Sequence, residues 1–299
     1  MLISGAESPA VFPGTVVSVG SFDGVHRGHR QLLQNLRRIG ERMGLPTTVV
    51  TFDPLPRSVV HPDRELPLLC SLPTRLRLIA ETGDVDQCCV LSFDERMMRC
   101  PVEEFVLDLL VNRFSMRVLV VGENFACGRN RQGDIAFLTE LGKRHAFSVA
   151  PQPLYTPPGV SRCSSTEARR LVEKGELAEA ARLLGRAHEI SGVVIERKEK
   201  RGRTILQAAI DCNLHAPPPA DYFGAISVGN GSAPWRQTLI TISAPLVSGR
   251  QHRARLVVDE RDELDVGAPL DIRFLHCVTR DRSSRKRGQA IMQLEASCE

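Results

Sequence analysis

Thr15-Val16-Val17-Ser18-Val19-Gly20-Ser21-Phe22-Asp23-Gly24-Val25-His26-Arg27-Gly28-His29 is the stretch that decides the fold. Residues 15–20 are β-branched and apolar with a closing glycine, the pattern of a buried strand. A glycine-bearing turn follows, and then Leu32, Leu33, Leu36 and Ile39 recur at helical spacing through 29–43. Moving outward, 47–52 (TTVVTF) reads as the next strand, 73–81 as a helix and 88–93 as a strand. Pro101, with acids close behind it, opens another helix. Residues 117–122, 135–144 and 147–150 read as strand, helix and strand. This alternation predicts an α/β fold, a doubly wound parallel sheet with helices on both faces.

The pattern changes near residue 164. Ser164-Ser165-Thr166 supplies hydroxyl caps for a helix carrying Ala168, Leu171 and Val172, which Gly175 ends. A further helix spans 176–184 and closes at Gly185. Beyond Arg186 the text turns β-like at 190–196, 222–228, 238–242, 255–259 and 270–275, which predicts a smaller antiparallel barrel or sandwich. Two domains are expected, 1–186 and 187–299, as a chain of 299 residues favours.

Composition excludes several classes. Hydrophobic residues at 42% and charged residues at 25% are ordinary for a globular chain and rule out the composition of disorder. The net charge is only +4, and it divides evenly at Arg186, so neither half is a polybasic module and no nucleic-acid partner is expected. No apolar run approaches the roughly 20 residues of a membrane helix, and the first residues lack the basic and apolar regions of a signal peptide. The cysteines form no CxxC pair, so neither a zinc ribbon nor a dithiol motif is supported, and free thiols in the cytoplasm are expected.

Chemistry concentrates where the first strand meets its helix, which is where ligands bind in a doubly wound sheet. Gly20, Gly24 and Gly28 allow close backbone approach, and the helix N-terminus presents unpaired N–H groups to a phosphate. His26 and His29, three residues apart, are placed to face one developing negative charge. An isolated H-x-x-H is more often structural, and as a metal site it lacks further ligands nearby. With the Gly-Ser-Phe-Asp-Gly turn, the strand before and the helix after, a phosphate site involving Phe22 and Asp23 is the stronger expectation.

The segment G-S-F-D-G-V-H-R-G-H resembles the H-x-G-H segment of nucleotidyltransferases, and specifically of bacterial FAD synthetases. Further blocks follow in that family's order. They are Thr51-Phe52-Asp53-Pro54, then Val120-Val121-Gly122-Glu123-Asn124-Phe125 with Gly128-Arg129-x-Arg131-x-Gly133-Asp134, then Ser164-Ser165-Thr166-x-x-Arg169, then Leu183-Leu184-Gly185-Arg186. The resemblance implies a Rossmann-like nucleotidyltransferase domain that transfers AMP from ATP to FMN, giving FAD and pyrophosphate, with Mg²⁺ as cofactor. It implies that His26, His29 and Arg169 are catalytic and that Ser164, Ser165 and Thr166 hold phosphates beside the glycine turn. Asp53, Asn124 and Phe125 would contact the flavin. Family members usually carry an aromatic where Cys127 stands and a His where Leu55 stands, which keeps open a different phosphorylated acceptor. A non-catalytic flavin- or nucleotide-sensing protein is a third reading. Cys127 and Cys163 would lie near the site, so oxidation is expected to inhibit.

In the bifunctional members the second module is a riboflavin kinase with a G-F-P-T-A-N segment and a later glutamate. Here Lys200-Arg201-Gly202-Arg203-Thr204 is followed by Ile205-Leu206-Gln207-Ala208-Ala209-Ile210-Asp211-Cys212-Asn213-Leu214, with no P-T-A-N. The stretch that should hold the glutamate reads His252-Arg253-Ala254-Arg255. Arginine cannot serve as a base toward a hydroxyl, so the kinase reaction is expected to be lost while the barrel persists.

Overall fold

The computed structural model describes residues 1–5, 12–64, 67–156, 163–199, 203–229, 231, 233–243, 253–258 and 264–278. Its first part is a six-stranded sheet of β1 (Leu2–Ser4), β2 (Thr15–Val19), β3 (Thr47–Phe52), β4 (Gln87–Leu91), β5 (Met116–Gly122) and β6 (Ser148–Gln152). The spatial order is β1-β4-β3-β2-β5-β6, and every pairing is parallel. The chain runs from β2 through β3 and β4 to one side, then resumes on the other side of β2 with β5 and β6. The order therefore reverses between β2 and β5, and that switch point opens the crevice in which α/β sheets bind ligands.

Side-chain alternation along each strand explains why both faces are covered. Val16, Val49, Cys88, Val118 and Val120 face one side, against Leu33 and Leu36 of α1 (Arg27–Met43) and Leu78 and Ile79 of α3 (Leu72–Ala80). Val17, Val50, Cys89, Leu119 and Val121 face the other. They meet Phe105, Val106 and Leu110 of a π-helical segment, Glu104–Arg113, and Leu138 and Leu141 of α5 (Ile135–His145). Helices α6 (Ser165–Glu173) and α7 (Leu177–Leu184) form a hairpin with its own small core of Ala168, Leu171, Val172, Ala180, Leu183 and Leu184. Two short helices, α2 (Pro56–Val60) and α4 (Glu95–Arg99), sit in the crossovers.

The second part is a closed antiparallel barrel, so barrel rather than sandwich is the outcome. Its strands are β7 (His188–Glu199), β8 (Thr204–Ile210), β9 (Asp221–Val228), β10 (Arg236–Ile242), β11 (Arg253–Val258) and β12 (Pro269–Cys277), in the order β10-β11-β8-β7-β12-β9. Leu206, Ala208, Ile210, Tyr222, Ile226, Ile240, Leu256, Ile272 and Phe274 fill it. The strand β8 falls in the stretch compared above with a kinase motif. Thr204, Leu206, Ala208 and Ile210 alternate inward there, but paired alanines blur the period in the sequence. Residues 200–202, His252 and residues 279–299 lie outside the described residues. None of the helices described is long and apolar enough to cross a membrane.

Candidate active site

The turn between β2 and α1 is built from unusual backbone. Phe22 and Val25 take φ of 48° and 36°, and Gly24 takes 77°. A side chain at Gly24 would also put its Cβ 2.8 Å from Leu69, so glycine is required there by conformation and by space. At Gly28 a Cβ would press on the His26 ring and on Cys163, so that glycine lets the segment before α6 lie against the start of α1.

His26 is the N-cap of α1. Its Nδ1 accepts the His29 N–H at 3.2 Å, which fixes the neutral tautomer and leaves the Nε2–H as the donor. The His26 and His29 rings stack with centroids 3.7 Å apart and planes 12° off parallel, and Phe22 closes on His29 from beside it. Burial lowers the His26 pKa to about 4, with Arg186 and Arg169 pushing the same way. Burial and then the His26 ring hold His29 well below its ordinary value. Both imidazoles are neutral in the free protein, and two stacked imidazoliums would repel.

A cleft of about 1060 Å³ lies over this turn, lined by Gly20, Phe22, Asp23, Gly28, Ser164, Ser165, Thr166 and Arg169 as well as both histidines. The structure thus gathers nearly all the phosphate-site residues singled out from sequence. Gly24 is set back from the cleft and shapes the turn, with its carbonyl accepting from Arg186 at 2.8 Å. Ser164 caps α6 by accepting the Glu167 N–H at 3.1 Å, and the Ser165 hydroxyl donates to the Asp23 carbonyl at 2.9 Å. Thr166 is exposed on the rim. Arg169 is more committed than its spacing suggests. Its Nη2 pairs with the buried Asp23 carboxylate and its Nε donates to the Pro67 carbonyl at 2.8 Å. The other Asp23 oxygen accepts from the Leu69 N–H at 3.0 Å, so Asp23 is a strut of the turn.

A second cavity of about 620 Å³ adjoins the first and is largely apolar, with Phe52, Phe93, Met97, Met98, Phe105 and Phe125 on its walls. Gly20, Ser21, Asn124, Phe125 and Arg131 line both cavities, so the two open onto one another at the C-terminal end of β2. Of the three flavin candidates, Asn124 and Phe125 are at this junction. Asp53 lines neither cavity; its carboxylate lies 3.6 Å from Arg75, a buried arginine that also donates to the Ser21 carbonyl at 2.9 Å.

Nothing in the sequence pattern marks Arg57, yet it lines the large cleft and donates to the Pro67 carbonyl beside Arg169. Asn35 and Gln152 also line it, joined by a 2.7 Å hydrogen bond between α1 and β6. Their separation of over a hundred residues leaves no local signal. The two cysteines near the site, Cys127 and Cys163, are held toward the thiol form. Burial pushes the Cys127 thiol to about 12 and raises Cys163 as well, which suppresses the thiolate that oxidation requires. This environment disfavours the inhibition by oxidation expected from sequence. Among the described residues no three His, Cys, Asp or Glu side chains converge to hold a metal ion.

Residues 8–167 match a family model described as FAD synthetase. The chain belongs to the FAD synthetase family. A relative from Escherichia coli K12, described as bifunctional riboflavin kinase/FMN adenylyltransferase, is 33% identical over 92% of this chain and 86% of its own length. A Pseudomonas fluorescens protein of the same description is 35% identical over 61% of this chain and 58% of its own. A solved Streptococcus pneumoniae chain, titled a macrolide-efflux protein, superposes with a TM-score of 0.75 at 19% identity, covering 99% of this chain and 97% of that one. It supports the fold alone.

Proposed function

We propose that this FAD synthetase family member transfers AMP from ATP to FMN, giving FAD and pyrophosphate, and that its barrel has lost riboflavin kinase activity. The observation that carries the reading is the pair of joined cavities at the switch point. One is lined by helix N-termini, histidines and hydroxyls suited to a triphosphate, and the other by aromatic and thioether side chains suited to a flavin ring. The acceptor phosphate would enter where they meet.

An FMN phosphate oxygen attacks the α-phosphorus of ATP in line. The new O–P bond forms as the bond to the β,γ-pyrophosphate breaks, and pyrophosphate departs with the bonding pair. The nucleophile is already anionic at neutral pH, so no base is needed and positioning with charge stabilisation does the catalysis. The His26 Nε2–H and the His29 ring meet the α-phosphoryl oxygens, together with backbone N–H groups at the start of α1. Ser164, Ser165 and Thr166 with the N-terminus of α6 receive the leaving pyrophosphate. Arg169, held by Asp23, fixes that helix and adds positive charge. Mg²⁺ arrives as the counter-ion of the triphosphate, as part of the substrate.

Loss of the kinase reaction is supported in the barrel by Ala208 and Ile210, which point into the core in place of nucleotide-binding groups, and by exposed arginines at 253 and 255. The division of labour would be 1–186 for transfer and 187–299 for another role. The free cysteines among the described residues suit a reducing cytoplasm. Incubation of the purified chain with Mg·ATP and a panel of phosphorylated acceptors tests the assignment. FAD from FMN with little reaction elsewhere is expected, and preferential use of another acceptor or of CTP would reject it.

A further inference from the structure

One turn of the barrel reaches the transfer site, and that turn is the continuation of the segment where a kinase motif would stand. After β8, Asp211 caps a tight turn: its Oδ1 accepts the Asn213 N–H at 2.9 Å and its carbonyl accepts the Leu214 N–H at 2.9 Å. Leu214 is buried in the barrel core, which roots the turn. Its flanks reach across to the sheet part and form a short parallel bridge between Leu214 and Leu68. The Leu68 N–H donates to the Asn213 carbonyl at 2.6 Å, and the His215 N–H donates to the Leu68 carbonyl at 2.8 Å.

His215 does something more specific. While its main chain holds Leu68, its ring Nε2 donates to the main-chain carbonyl of Arg169 at 2.9 Å. One residue therefore joins two segments that have no covalent connection nearby. The first, 67–69, supplies the Pro67 carbonyl that holds the Arg169 Nε and the Leu69 N–H that holds Asp23. The second is α6, which carries Ser164, Ser165 and Arg169 itself. The His215 carbonyl is in turn held by the Nε2–H of His188, a buried residue at the start of β7. The chain of contacts runs from the barrel wall through His188 and His215 to both sides of the Asp23–Arg169 pair.

We propose that the barrel acts as an internal clamp on the transfer site, with His215 as a positioning residue that sets α6 and Arg169 against the 67–69 segment. Its hydrogen bonds to the transfer part are with backbone and it lines neither cavity, so it acts through Arg169 and not on substrate. A second tie has the same direction: Arg186, bound to Glu189 of β7, donates to the Gly24 carbonyl on the histidine turn. The barrel thus reaches both phosphate-facing walls. The inference rests on the adenylyl-transfer reading above.

The test uses the full chain and steady-state FAD formation from Mg·ATP and FMN, with wild type, His215→Ala and His215→Gln compared alongside their thermal midpoints. Displacements of an ångström in a positioned group lower turnover by about 10- to 100-fold, and a loss of that order in kcat is expected for His215→Ala. KM for FMN should stay near wild type, because the apolar slot does not touch the clamp. Gln presents an amide N–H near the same reach and should restore most of kcat. Wild-type kcat in His215→Ala overturns the clamp, and so does a loss that Gln leaves unrepaired or that follows the thermal midpoint in both variants. Absence of FAD formation by the wild-type chain would instead overturn the adenylyl-transfer reading.

Discussion

Replacing Glu189 by Gln removes a buried carboxylate that ties the two parts of the molecule together. Glu189 is fully buried and receives Arg77 at 2.6 Å, Arg273 at 2.9 Å and Arg186 at 3.4 Å. Arg77 comes from α3, Arg273 from β12, and Arg186 from the junction that leads into β7. Breaking a buried ion pair from one side costs about 3–5 kcal/mol, because the partner charge stays buried without its counter-charge. Arg186 is the arginine left most nearly in that position. Arg77 keeps Glu81 at 2.6 Å, and Arg273 lies over the Trp235 ring at 3.6 Å. The lower bound of about 3 kcal/mol is therefore the better figure, and at roughly 2–4 °C per kcal/mol it becomes about 6–12 °C in thermal midpoint. The pH dependence has a definite sign. Burial raises the Glu189 pKa, but Arg186, Arg77 and Arg273 outweigh it and the net shift is downward. A depressed carboxylate contributes stability above its unfolded pKa and loses it as pH falls through the folded value. The gap between wild type and Glu189→Gln should be full at pH 7 and should shrink only below the ordinary glutamate range. Differential scanning fluorimetry from pH 7 downward measures it. A midpoint within 1 °C of wild type at pH 7, or a gap that widens toward acid, would refute the reasoning.

Three further outcomes follow from the site. His29→Ala should lower pyrophosphate release from ATP plus FMN by roughly 100-fold, and an unchanged rate would remove the histidine from the chemistry. The His26 ring in the free protein should show no NMR titration midpoint between pH 5 and 8, since burial holds it at about 4. Its depressed pKa means that stability falls as pH drops from the ordinary histidine range toward 4, and a midpoint near 6.5 would contradict both points. Mild peroxide should leave turnover unchanged, because burial keeps the Cys127 and Cys163 thiols protonated; rapid thiol-reversible inactivation would contradict this.

The sheet part was legible because its strands are buried on both faces, and uninterrupted runs such as TTVVTF at 47–52 announce that directly. The short edge strand Leu2–Ser4 has two of its three residues exposed, and nothing in so brief a run separates it from a loop. The wide turns of Glu104–Arg113 are likewise hidden, since apolar spacing does not distinguish an α-helix from a π-helix over ten residues. At the site, local motifs carried the histidine turn and the cap of α6, because each is a contiguous strand end or helix start. Arg57, Asp53 and the His215 clamp were not readable in that way. Asp53 has the motif position of a ligand residue, but its carboxylate lies beside Arg75 of α3 and it lines neither cavity. His215 acts on residues 46 positions away, and such long-range pairings leave no periodicity in one sequence.

The central claim is that this chain makes FAD from FMN and does not make FMN from riboflavin. Paired incubations of the purified chain with Mg·ATP, one containing FMN and the other riboflavin, followed by chromatographic separation of the flavins, test it most directly. FAD in the first and unaltered riboflavin in the second is the predicted result. FMN or FAD arising from riboflavin would contradict the loss of the kinase, and no FAD from FMN would contradict the transfer activity itself.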